Sequence, residues 1–143
     1  MGHEDKGHYA LKHKGKSIQP ELSDAIKAQA ADGMLPCAAA HKTAKTLGYA
    51  PKEAGVQADL LELCISQCQL GLFGYSPNKK KFNPDIKVPE ALAGAILDAQ
   101  DEGRLSCRQC WDMAKDHSIS RLDMGSACEK MEIRIKPCQL GAF

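Results

Sequence analysis

The chain has 143 residues, 43% of them hydrophobic and 26% charged, with a formal net charge of +1. These proportions fit a soluble globular protein built as one ordinary domain or two small ones. No apolar run approaches the roughly 18 residues that span a bilayer, so no membrane partner is expected.

The first 19 residues form a basic arm, expected to be flexible. It carries four lysines against Glu4 and Asp5, and His3, His8 and His13 recur every five residues. The segment has no apolar core, so it does not read as a secretory signal. A cytoplasmic location is expected, where thiols stay reduced. The seven cysteines are an odd number, which suits free thiols better than a complete disulfide set.

Residues 20–73 read as a first helical unit. Leu22, Ala25, Ile26 and Gln29 mark one face of a helix, with Pro20 in its first turn and Gly33 as its stop. A second helix starts near Pro36, with Cys37, Ala40, Ala44 and Leu47 on its inner face. A third runs from Pro51 to about Leu61, with Ala54, Ala58 and Leu61 inward. Leu63 and Ile65 then alternate with polar neighbours, as in a short strand, and Gly71 marks a turn. Residues 74–89 form a basic linker holding Lys79, Lys80, Lys81 and Lys87 against Asp85.

Residues 90–143 repeat the first unit. An offset of 70 aligns Leu22–Phe73 with Leu92–Phe143 without a gap. Identical pairs include Leu22/Leu92, Ile26/Ile96, Gly33/Gly103, Leu35/Leu105, Cys37/Cys107, Ala44/Ala114, Gly55/Gly125 and Ile65/Ile135. Both units close on Cys-Gln-Leu-Gly, at residues 68–71 and 138–141. The chain is a tandem duplication. Its expected fold is mainly α, with two trihelical units that each end in a short strand and turn. The positive charge lies on the arm and linker, because four bases face six acids in 20–73 and seven face nine in 90–143.

The stretch Ala44-Lys45-Thr46-Leu47-Gly48-Tyr49 resembles the helix-turn-helix and winged-helix families, in which a small residue precedes the turn glycine by four positions and an apolar residue follows it. Ala114 and Ile119 match in the second unit, where Ser118 replaces the glycine. The resemblance implies that each third helix enters a major groove. Lys52, Glu53, Val56 and Gln57 would then face outward in the first unit, and Leu122, Asp123, Ser126 and Lys130 in the second. Gln57 suits adenine, and Arg121 suits a phosphate or guanine. Lys79, Lys80 and Lys81 would add backbone contacts. Against this, Glu53/Asp123 and Asp59/Glu129 place acids on both third helices, where they repel phosphate. The expected function is a tandem DNA-binding protein, such as a transcriptional regulator. The alternative is a protein-interaction module that responds to metal or redox state through its cysteines.

Cys107, Cys110, Cys128 and Cys138 are a candidate tetrahedral zinc set, and Cys37, His41, Cys64 and Cys68 a second one. Buried packing competes with both, since free cysteine behaves as a small hydrophobe. The sequence shows no phosphate-binding glycine loop, nucleophile elbow or zinc-binding histidine pair on a helix. No enzyme activity is expected.

Overall fold

A computed structural model describes residues 17–75 and 79–142. Most of the basic arm, with His3, His8 and His13, lies outside the described residues, as does Phe143. The fold is mainly helical. Its elements run α1 (Pro20–Gln29), β1 (Met34–Pro36), α2 (Cys37–Leu47), α3 (Pro51–Leu60), β2 (Cys64–Ser66), α4 (Glu90–Ala99), β3 (Arg104–Leu105), α5 (Cys107–Asp116), α6 (Arg121–Lys130) and β4 (Arg134–Ile135). No helix among the described residues is long and apolar enough to cross a membrane.

Sequence chemistry places the helix ends. Pro20 and Pro51 open α1 and α3, where a missing N–H costs nothing. Ser106 caps α5 in a reciprocal box with Gln109, and Ser120 caps α6 through the Asp123 N–H. The α2 helix stops at Gly48 in the left-handed region, where the Tyr49 N–H reaches back to the Ala44 carbonyl at 2.8 Å. Ser118 occupies the corresponding turn with φ 55°, and the Ile119 N–H bonds the Ala114 carbonyl at 2.9 Å. The same closure therefore forms twice, once on glycine and once on a residue for which that conformation is costly.

The short strands between the first and second helices, β1 and β3, were not expected. Gly33 does not stop α1; it lies in the turn that leads from α1 into β1. Parallel pairing joins β1 to β2, with Leu35 opposite Ile65, and β3 to β4, with Leu105 opposite Ile135. These inward residues are buried and extend each helical core.

The chain divides into two compact units. The first runs through Cys68 and also takes the terminal residues from Gln139. The second runs from Gln69 to Cys138. Compact units and sequence repeats thus differ at one place. Each repeat places the Gln-Leu-Gly part of its closing segment in the unit otherwise built by the other repeat. In the first unit Leu140 is buried with Leu22, Ile26, Ala40, Ala44 and Ala58. In the second, Leu70 is buried with Leu92, Ile96, Ala114 and Met124.

Candidate functional site

The third helices of the two units carry the residues that the helix-turn-helix resemblance assigns to DNA. In the first unit, α3 packs against α1, α2 and β2. Its residues from Ala54 to Asp59 are all buried. Gln57 is only 1% exposed. Its Oε1 accepts from the Gln19 N–H at 2.9 Å, and its Nε2 donates to the Ser17 carbonyl at 3.2 Å. The polar end of this side chain is thus spent on the backbone that leads into α1. The expectation that Gln57 and Val56 face outward to read bases is corrected here: both lie inside.

The second unit repeats the arrangement with different chemistry. Residues Met124 to Cys128 of α6 are buried. Ser126 is 3% exposed, and its Oγ accepts from the Asn83 N–H at 2.8 Å. Its expected outward position is likewise corrected. Buried polar groups need partners, and both units find them in the segment preceding their first helix. These buried stretches, 54–59 of α3 and 124–128 of α6, leave no continuous third-helix face open to a groove.

A backbone contact completes the enclosure. The Leu140 carbonyl lies against Gly55 on α3, and the Leu70 carbonyl lies against Gly125 on α6. A Cβ at either glycine would overlap that carbonyl. The repeated glycine pair and the repeated Cys-Gln-Leu-Gly segment are therefore two halves of one contact. A repeated glycine in a helix interior, where it costs roughly 1 kcal/mol relative to alanine, was the available signal for this approach.

The remaining basic candidates are exposed: Lys52, Lys79, Lys80, Lys81, Arg121 and Lys130. Several have local partners. The Arg121 guanidinium stacks over Trp111, 3.5 Å from the ring centroid, and donates to Gln69 Oε1 at 3.2 Å. Lys130 Nζ donates to the Ile86 carbonyl at 2.7 Å. Lys80 lies over Phe82 and Lys81 over Tyr75, at 5.7 and 5.5 Å from the ring centroids. Cation–π contacts of this kind contribute about 0.5–1 kcal/mol at exposed sites. Lys52 sits on the first turn of α3, and Lys79 pairs its backbone with Tyr75. The structure does not bring these cations together on an open third-helix face.

The cysteines separate into different environments. Cys110 on α5 and Cys128 on α6 are both 0% exposed, with their sulfurs 4.0 Å apart. The hydrogen bond to Cys128 pushes the Cys110 thiol well above the usual thiol range, and burial reinforces the shift. Cys107 and Cys37 are buried at the starts of α5 and α2, while Cys138 is half-buried after β4. The described residues contain no group of three or more histidine, cysteine or acidic side chains able to hold a metal ion. The candidate set Cys107, Cys110, Cys128 and Cys138 therefore does not assemble, and neither does Cys37, His41, Cys64 and Cys68. The physical reason is clearest for Cys110 and Cys128. They replace Ala40 and Ala58 of the first repeat and fill the same helix contact as small apolar groups.

The outer faces of the first and second helices differ between units. In the first unit Ala25, Ala28, Ala39, Lys42 and Thr46 line a shallow groove of about 320 Å³ between α1 and α2. At the same repeat positions the second unit carries Ala95, Asp98, Gln109, Asp112 and Asp116. The small residues allow close approach, and the charge changes from basic to acidic. No protein-family model matches the chain, and neither a curated protein nor a solved structure shows significant similarity to it.

Proposed function

We propose that this chain is a non-enzymatic, cytoplasmic protein-interaction scaffold. Its two helical units would present differently charged faces to partner proteins. The observation that carries this reading is the enclosure of both third helices. The residues that would read bases, Gln57 and Ser126, are instead buried and bonded to backbone within their own units. The first and second helices, with the ends of the third, then make up the exposed helical surface. Their divergence from Lys42 to Asp112 and from Thr46 to Asp116 suits two different partners.

The test is capture with the tagged full-length chain after nuclease treatment, comparing wild type with Lys42→Glu and Asp112→Lys. A protein retained in stoichiometric amount by wild type and lost with one variant is the expected result. Each substitution is on an exposed site and should leave the helical circular dichroism unchanged. Capture of no protein in stoichiometric amount, or equal capture by all three chains, refutes the reading.

A second reading keeps a role for DNA without the third helices. The exposed run Lys79, Lys80 and Lys81 supplies phosphate-binding charge. Binding of that kind falls steeply with salt and does not discriminate between sequences.

A further inference from the structure

We infer that the surface over each third-helix glycine is a recognition site for a Cys-Gln-Leu-Gly segment, and that a second copy of this chain supplies that segment when chains fold together at high concentration. The receptor half of the contact occurs twice, at Gly55 and Gly125, and both positions exclude a Cβ because a leucine carbonyl lies there. The ligand half also occurs twice, at residues 68–71 and 138–141. Leu70 and Leu140 are buried to 0% and 2% exposure. In both units the leucine comes from the other repeat.

Duplicated receptors and duplicated ligands make the pairing degenerate. Nothing in the four shared residues tells a site which copy of the segment it holds. A segment from another chain makes the same backbone approach and fills the same leucine position. What favours the intrachain arrangement is effective concentration, which is about millimolar for short flexible connections. Exchange of an identical element between protomers is a low-cost route to a closed dimer, because the native contacts are all retained. The equilibrium native protein therefore stays monomeric at low concentration. Chains unfolded and refolded together at high concentration partition into a dimer that exchanges its closing segments. This inference stands apart from the partner-binding proposal, since it concerns a contact buried inside each unit.

The experiment refolds the reduced full-length protein from denaturant across a range of concentrations. Light scattering after size separation gives the mass. Native mass spectrometry of a mixture of isotopically labelled and unlabelled chains shows whether the dimers are mixed. A peptide of residues 138–143, and a scrambled control, are added during refolding in parallel samples. The expected result is a mixed dimer whose fraction rises with concentration, persists in reductant, and falls with the native peptide but not the scrambled one. Monomer at every concentration overturns the inference, even if the peptide binds; the ligand would then be a segment of a different protein. Dimers or larger species indifferent to the peptide also overturn it. Capture of a partner on the Lys42 face is unaffected either way, so the two proposals fail separately.

Discussion

The Gly125→Ala substitution isolates the backbone approach in the second unit. In an ordinary helix interior this change gains roughly 0.8–1 kcal/mol. Gly94 provides that reference: it lies within α4, with nothing among the described residues within 4 Å of an added Cβ. Gly94→Ala should therefore stabilise the protein by about 0.5–1 kcal/mol. At Gly125 the new methyl meets the Leu70 carbonyl, which is main chain and has no rotamer to yield. Overpacking of this kind costs about 1–3 kcal/mol. If the segment lifts away instead, Leu70 loses a burial worth about 1.5–3 kcal/mol. Set against the propensity gain, the net effect is a loss of up to about 2 kcal/mol, where Gly94→Ala gives a gain. Urea denaturation followed by Trp111 fluorescence is suited to both variants, because the only tryptophan lies in the same unit. A Gly125→Ala protein as stable as Gly94→Ala would refute the close approach.

Three further outcomes follow from local chemistry. Ser118→Gly relieves a left-handed residue at φ 55° and matches Gly48 of the first repeat; a gain of about 0.5–1 kcal/mol in chemical denaturation is expected. Ser23 is 1% exposed and its hydroxyl has no hydrogen-bond partner among the described residues, so Ser23→Ala, which matches Ala93, should stabilise by about 1 kcal/mol; a lower thermal midpoint would count against it. The hydrogen bond to Cys128, reinforced by burial, holds the Cys110 thiol protonated in the fold, and the same bond lowers the Cys128 pKa. A raised folded value means that this stabilisation is complete below the free thiol's range near about 8.5 and is lost as pH rises through and beyond it. Cys110 therefore contributes a decline in stability on the alkaline side, measured against pH in reductant, which the easier ionisation of Cys128 in the fold opposes. The Cys110→Ala, Cys128→Ala double variant should flatten that decline.

Much of the fold is legible from the sequence, because periodicity and end signals agree. Leu22, Ala25 and Ile26 mark α1, Ser106 marks the start of α5, and Pro51 that of α3. The short strands β1 and β3 are harder to see. Each carries one inward residue, Leu35 or Leu105, which is too little for an alternating pattern. The third helices are misjudged for a different reason. Gln57, Asp59 and Ser126 are polar, and polar residues on a helix normally indicate the solvent side. Here Gln57 and Ser126 are buried because backbone groups at Ser17, Gln19 and Asn83 satisfy them. That pairing joins residues about forty apart and leaves no periodic trace. The repeated Gly55 and Gly125 signal a close approach, but identical closing segments cannot reveal which unit each one completes. The cysteine spacing Cys107-x2-Cys110 suggested metal ligation, whereas Cys110 and Cys128 simply occupy the inner positions held by Ala40 and Ala58.

Enclosure of the third helices is the central claim, and a nitrogen-15 amide titration with random-sequence duplex DNA at low ionic strength tests it most directly. The expected result is that amides of residues 52–60 and 121–130 keep their shifts, with any salt-sensitive change confined to the lysines at 79–81. Shifts concentrated along residues 52–60 or 121–130, at stoichiometric DNA, would show an open reading helix and contradict it.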